Sequence, residues 1–164
     1  MNSLVRMGWC LMLLLVLIGC NKLEEKDSSK TTDEHLTSIS NEKKEPPAIN
    51  LVIGDNEIKT YRGTYTWTYF DKSTGQNVTT IADHAPPNEM VDMEQGVKVN
   101  LTEPVKLNFE QEPTQFEIKL WDDNGVIKTY NSFEEVQEKG KYIVEIIGNW
   151  EDSMATYVVA LDIE

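Results

Sequence analysis

Apolar and polar residues alternate with a period of two through most of the chain after residue 48, and this pattern constrains the fold more than any other feature of the sequence. In residues 64–69, for example, aromatic side chains at every second position alternate with threonine. Successive side chains of a β-strand point to opposite faces of a sheet, so each such segment is predicted to be a strand with one buried face.

Turn-forming residues divide residues 49–164 into about eight or nine short predicted strands. The strongest hairpin signal is Asp122-Asp123-Asn124-Gly125, because asparagine followed by glycine adopts the positive φ angles of a tight turn. One helix is predicted, over residues 132–139, with Ser132 as its N-cap and Gly140 at its end. The number and spacing of the strands predict an all-β fold, an antiparallel β-sandwich, with an open β-barrel as the alternative.

The last two predicted strands resemble part of a known family. Residues 140–146, followed by a turn and a terminal strand, are similar to the closing hairpin of immunoglobulin-like domains of bacterial surface proteins. The resemblance implies an immunoglobulin-like β-sandwich for residues 49–164. It implies no activity, because one fold carries many unrelated functions.

An uncharged apolar run occupies residues 7–18 and follows a single positive residue, Arg6. As a helix this run would be ~18 Å long, well short of the ~30 Å hydrocarbon core of a membrane. Its length is typical of the hydrophobic region of a signal peptide. Residues 1–19 are therefore predicted to be a cleaved signal peptide.

The apolar run ends in Leu17-Ile18-Gly19-Cys20, which resembles the lipobox of bacterial lipoproteins. The resemblance implies that the Cys20 thiol carries a diacylglyceryl group, that a peptidase cuts between Gly19 and Cys20, and that the new amino group can be acylated. It places the protein on the extracytoplasmic face of a bacterial cell membrane, held by its lipid. The alternatives are an ordinary secretory signal and an uncleaved anchor.

Residues 21–48 are rich in lysine, glutamate, aspartate, serine and threonine, with only isolated aliphatic residues. Such a composition buries too little apolar surface to offset the entropy of the chain. Residues 20–48 are therefore predicted to be the lipidated cysteine and a flexible tether, and residues 49–164 the β-sandwich domain. The tether is predicted to end after Pro46 and Pro47, which prevent a helix there.

The chain carries a formal net charge of −13. Most of this charge lies in residues 49–164, which hold nine Lys and Arg against 21 Asp and Glu. Binding to nucleic acid depends on lysine and arginine displacing counterions, so a nucleic-acid function is excluded. The acidity favours solubility, and its alternative role is the attraction of cationic partners or divalent ions.

Catalytic and metal-binding patterns are weak. His84 is the only histidine after residue 48, lies in a predicted loop beside Asp83, and has no Gly-x-Ser-x-Gly motif to accompany it. A zinc site needs three or four ligands, and Cys10 would leave with the signal peptide. Asp122, Asp123 and Asn124 offer oxygen ligands for calcium but lack the spacing of an EF-hand, so a plain hairpin turn is favoured.

Two aromatic features could serve binding. Tyr65, Trp67 and Tyr69 share one face of a predicted strand; because the opposite face is threonine, we expect them in the core rather than on a glycan or peptide platform. Trp121 falls among the polar positions of its strand. It is a candidate contact for a partner, with coverage of one end of the sandwich as the alternative.

These observations lead to one expectation for function. The chain is predicted to be no enzyme and to need no cofactor beyond the covalent lipid on Cys20. We expect a monomeric, lipid-anchored binding or interaction module whose partner is an envelope protein, a wall polymer or a small ligand. The alternative is a structural or assembly accessory of an envelope or membrane complex.

Overall fold

A computed structural model describes residues 41–164 of this chain. The strands are β1 (Ile49–Ile53), β2 (Asn56–Lys59), β3 (Tyr61–Asp71), β4 (Gln76–Ala82), β5 (Val97–Val99), β6 (Val105–Phe109), β7 (Gln115–Asp122), β8 (Gly125–Tyr130), β9 (Gly140–Trp150) and β10 (Ser153–Ile163). A short helix, α1 (Pro87–Met90), lies between β4 and β5, and two 3-10 turns span Met93–Gln95 and Phe133–Glu135.

The strands form two sheets. The larger sheet has the order β4-β3-β10-β9-β7-β8, and β5 is added parallel to the end of β10. The smaller sheet has the order β2-β1-β6, with antiparallel pairing throughout. These two sheets do not close into a barrel. The predicted all-β antiparallel sandwich is therefore confirmed. The strands do not form the alternative, an open β-barrel.

One hydrophobic core joins the two sheets. Alternate residues of β1 are buried, in agreement with a strand that covers the core with one face. From the larger sheet, Trp67 is fully buried and its ring meets that of Trp150 edge-on, with centroids 5.2 Å apart. Tyr69 is also buried and Tyr65 packs against the core, so the prediction that this aromatic row faces inward is confirmed.

Residues 41–48, which we call the strap, pack against the larger sheet. The indole N–H of Trp67 donates to the carbonyl of Lys43 at 2.9 Å, and the hydroxyl of Tyr157 donates to the carbonyl of Pro47 at 2.6 Å. The backbone N–H of Phe70 donates to the carbonyl of Asn41 at 2.8 Å. Within the described residues these contacts begin at Asn41, inside the range 20–48 that the sequence predicts as lipidated cysteine and tether. The predicted signal peptide, Cys20 and the rest of the tether lie outside the described residues.

The predicted helix over residues 132–139 is wrong. Only Phe133–Glu135 forms a single 3-10 turn, and the Ser132 side chain makes no capping hydrogen bond. Two contacts explain the difference: Phe133 and Val136 are both buried in the core, and Glu138 accepts hydrogen bonds from Lys128 and Tyr130 on β8. These hydrogen bonds hold the pKa of Glu138 at about 2. The segment is thus fixed by tertiary contacts that override its helical propensity.

The connection between β4 and β5 crosses the outer face of the larger sheet. In this connection α1 contacts β3, β7 and β9, and the Met93–Gln95 turn contacts β9 and β10. These contacts account for the burial of Ile143 and Val158, which alternate with the core-facing residues of their strands. Within residues 41–164, no helix has the length and apolarity needed to span a membrane.

Candidate functional site

A polar cavity, which we call the end pocket, lies where the turn between β9 and β10 meets the start of the strap. Its volume is about 110 Å³. This volume is well above the ~15 Å³ that one water molecule requires. Amide, hydroxyl and carboxylate side chains and one tryptophan line it: Asn41, Thr68, Asn77, Gln111, Glu112, Thr114, Trp150, Glu151, Asp152 and Ser153.

Four separate parts of the chain build the end pocket. The strap contributes Asn41, the β3–β4 hairpin contributes two side chains, the β6–β7 connection contributes three, and the β9–β10 turn supplies the rest. The indole N–H of Trp150 donates to the carbonyl of Gln111 at 3.2 Å, which fixes the β6–β7 connection against the sheet. The backbone N–H of Thr114 donates to the carbonyl of Asn149 at 2.8 Å and holds the other end of that connection.

The buried polar atoms of the pocket wall satisfy one another. Asn41 is 8% exposed, and its side chain donates to the carbonyl of Thr68 at 2.9 Å and accepts from Gln111 at 2.7 Å. The hydroxyl oxygen of Ser153 accepts from the backbone N–H of Thr68 at 2.9 Å. A fully bonded buried network resists rearrangement, so this wall presents its remaining donors and acceptors in fixed positions.

The carboxylates of the described region do not gather into a metal site. Within residues 41–164, no group of three or more His, Cys, Asp or Glu side chains could hold a metal ion. In the turn predicted as a candidate calcium site, Asp122 accepts from the backbone N–H of Asn124 at 2.7 Å, and Gly125 has a φ of 124°. These features close the β7–β8 hairpin.

His84 lies on the loop after β4 and is exposed. Its backbone N–H donates to the hydroxyl of Thr64 at 3.1 Å. The end pocket does not include His84, so the structure does not bring this histidine together with the pocket's carboxylates.

Trp121 lies on the outer face of β7, as its position in the polar register predicts. Its indole N–H donates to the carboxylate of Glu145 at 3.0 Å. Glu145 is 8% exposed, and its burial raises the pKa of its carboxyl group above the usual range. The sequence analysis missed this pair, although a glutamate within the apolar run of residues 142–147 was a signal for it. A partner contact through Trp121 stays a prediction.

We expect Glu145→Gln to raise the melting temperature by a few degrees near neutral pH. The raised pKa means that the Glu145 carboxyl group binds its proton more tightly in the folded protein than in the unfolded chain. Stability from this group is therefore present below the ordinary pKa of about 4.5 and is lost as the pH rises through the folded pKa. Glutamine stays neutral and can still accept from Trp121. Thermal unfolding from about pH 4 to pH 7 measures the difference between the two proteins.

The control for this experiment is Glu134→Gln. Glu134 is exposed and lies in the short turn Phe133–Glu135, away from the Trp121–Glu145 pair, so its replacement should give no such gain. A gain for Glu145→Gln that is equally large near pH 4 would contradict burial of the charged carboxylate as its cause.

Comparison with known proteins identifies no relative: neither a family model, nor a curated protein, nor a solved structure matches this chain. Function is therefore inferred from the residues themselves. Within the described region, the end pocket is a partly open cavity whose wall carries fixed polar groups, and such groups can orient one small polar part of a ligand.

Proposed function

We propose that this chain is a bacterial lipoprotein, held by a diacylglyceryl group on Cys20 at the extracytoplasmic face of a cell membrane. Its β-sandwich is a binding module that catalyses no reaction. The ligand carries hydroxyl and amide groups, as the glycan of a wall polymer does, and one such group enters the end pocket.

The lipid anchor is supported by the sequence of residues 7–20. An apolar run too short to span a membrane ends in Leu17-Ile18-Gly19-Cys20, and polar residues follow it directly. Small Gly19 suits a peptidase site that has no room for a larger side chain. The acidic charge of the domain also fits an anchor of this kind, because it offers no attraction to anionic headgroups and leaves attachment to the lipid.

The observation that carries the binding role is the composition of the end pocket. Three amide side chains and three hydroxyl side chains line one cavity of about 110 Å³. Amides and hydroxyls both donate and accept hydrogen bonds, so they match ligands that do the same. A cavity of this size admits a hydroxymethyl or acetamide group rather than a whole sugar ring.

The binding role is tested by calorimetric titration of the full chain, in nonionic detergent, with N-acetylglucosamine, whose hydroxyl and acetamide groups match the pocket. We expect saturable binding with a Kd of about 1 mM, the range of a single small polar group. Asn77→Ala should weaken binding, because Asn77 lines the pocket and its side chain is accessible to a ligand.

Gln76→Ala is the matched control, because Gln76 is the neighbouring exposed residue of β4 and does not line the pocket. Binding that both variants weaken equally, or the absence of saturable binding to the unchanged protein, would contradict the end pocket as the site.

A further inference from the structure

A second cavity, which we call the strap-side pocket, lies between the end of the strap, the β1–β2 hairpin and the start of β3. Its volume is about 380 Å³. Ala48, Asn50, Lys59, Arg62 and Tyr157 are among the residues that line it. It shares no lining residue with the end pocket. It thus brings two cationic side chains together on an otherwise acidic domain.

Arg62 reaches this pocket through an irregularity in the sheet. The register between β3 and β10 shifts between Ala155 and Tyr157, and this shift sets Arg62 opposite Tyr157. Simple alternation along β3 would place Arg62 on the face of the threonines at 64, 66 and 68. A bulge re-aims a side chain in this way. Here it brings the guanidinium to 6.0 Å from the centre of the Tyr65 ring, at the edge of the core.

The guanidinium of Arg62 is only partly satisfied. Its Nη1 donates to Glu45 on the strap at 2.8 Å. Its Nε is buried and has no hydrogen-bond partner, and among residues 41–164 it is the one buried side-chain nitrogen or oxygen in that state. A buried donor without a partner destabilises the folded state. An arginine held there by a register shift, with one donor unused, would gain a partner if a small acceptor entered the pocket and the guanidinium turned to expose Nε.

We propose that the strap-side pocket binds a small oxyanion, a carboxylate or a phosphate group. Arginine only donates hydrogen bonds, and Nε and Nη2 together form the edge that binds two oxygens of such a group side by side. Glu45 accepts from Nη1, so it does not occupy the edge formed by Nε and Nη2. Lys59 lines the same pocket, lies outside the salt bridges of the described residues, and supplies a second positive charge.

The surroundings of the pocket define what kind of anion it takes. Glu45 and Glu110 both lie near Arg62, but they are 70% and 52% exposed, so through solvent they neutralise it only weakly. The rest of the domain is strongly acidic and repels large polyanions at long range. A single small anionic group, bound by short-range hydrogen bonds, is the ligand that both conditions allow.

The test is isothermal titration calorimetry of the full chain in nonionic detergent, with sodium phosphate in one arm and sodium acetate in the other. Sodium chloride keeps the ionic strength constant. Saturable binding in either arm supports the site, and the arm with the tighter binding identifies the preferred oxyanion. Arg62→Lys keeps the charge but loses the two-pronged edge, so we expect about tenfold weaker binding.

Two further variants make the test independent of any effect of Arg62 on folding. Lys59→Gln alters an exposed side chain and should weaken binding several-fold. Lys106→Gln removes the same charge from an exposed position on β6 outside the pocket and should leave binding unchanged. The proposal is overturned if neither anion binds saturably, or if Arg62→Lys and Lys59→Gln both bind as tightly as the unchanged chain.

Discussion

A chain shortened to begin at Ile49 will unfold at a much lower temperature than a chain shortened to begin at Asn41, or will fail to fold. The strap provides the carbonyls of Lys43 and Pro47, which accept from Trp67 and Tyr157. Each unpaired buried donor costs about 1–3 kcal/mol, so two of them remove a large part of the roughly 5–15 kcal/mol that stabilises a domain. The strap also supplies Pro47, which is fully buried against the core.

Thermal and urea unfolding of the two shortened chains measures this effect. Tyr157→Phe provides the matched control, because it removes the hydroxyl that donates to Pro47. In the chain that begins at Asn41 this replacement should lower stability by about 1 kcal/mol. In the chain that begins at Ile49 it should be neutral or stabilising, since the hydroxyl has already lost its acceptor. Equal melting temperatures for the two shortened chains would contradict a structural role for the strap.

The strap also shows where sequence reasoning reached its limit. The strands were predictable because one buried face imposes a period of two, as in β1 and β3. Residues 41–48 have the composition of a tether, and their side chains carry no pattern of burial that distinguishes them from one. Much of the contact between the strap and the sheet is made by hydrogen bonds to backbone carbonyls of the strap, and every residue type has a backbone carbonyl. Trp67 was predicted as a core residue, but the need of its indole N–H for an acceptor did not indicate where that acceptor lies.

Tertiary contacts explain the other differences between prediction and structure. Local propensity favoured a helix over residues 132–139, yet the burial of Phe133 and Val136 and the bonds to Glu138 leave room for one 3-10 turn only. The end pocket was not predicted either, because its walls come from four parts of the chain. The hydrogen bond between Asn41 and Ser153 joins residues 112 positions apart. A pattern confined to a short window of sequence cannot contain such a pairing.

The replacement Cys20→Ala is expected to abolish lipid attachment completely. The thioether to a diacylglyceryl group requires a thiol at position 20, and alanine has none. Each buried methylene of an acyl chain contributes ~0.8 kcal/mol to membrane binding, and two chains anchor stably where one is marginal. We therefore expect labelled palmitate in the unchanged protein and only background label in the Cys20→Ala protein, measured after growth of the bacterium with the labelled fatty acid.

Cys10→Ala is the matched control, because it removes a thiol that lies within the apolar run and outside the lipobox. The Cys10→Ala protein should carry as much label as the unchanged protein and should lose residues 1–19 in the same way. Mass spectrometry of the N-terminal peptide separates the two events: cleavage before residue 20 shortens the chain, and lipidation adds the mass of the acyl groups to Cys20. The Cys20→Ala protein is expected either to keep residues 1–19 or to leave the membrane.

The results that would contradict the anchor are equally specific. An unmodified Cys20 in protein recovered from membranes would show that another segment holds the chain there. Equal label in the Cys20→Ala and unchanged proteins would place the lipid on a different residue. Because the strap already joins the domain at Asn41, an anchor at Cys20 would leave only residues 21–40 as a spacer, with a maximum span of about 70 Å. That span would set the greatest distance between the strap and the membrane surface, and the ligands of the end pocket and the strap-side pocket would have to be found within that reach.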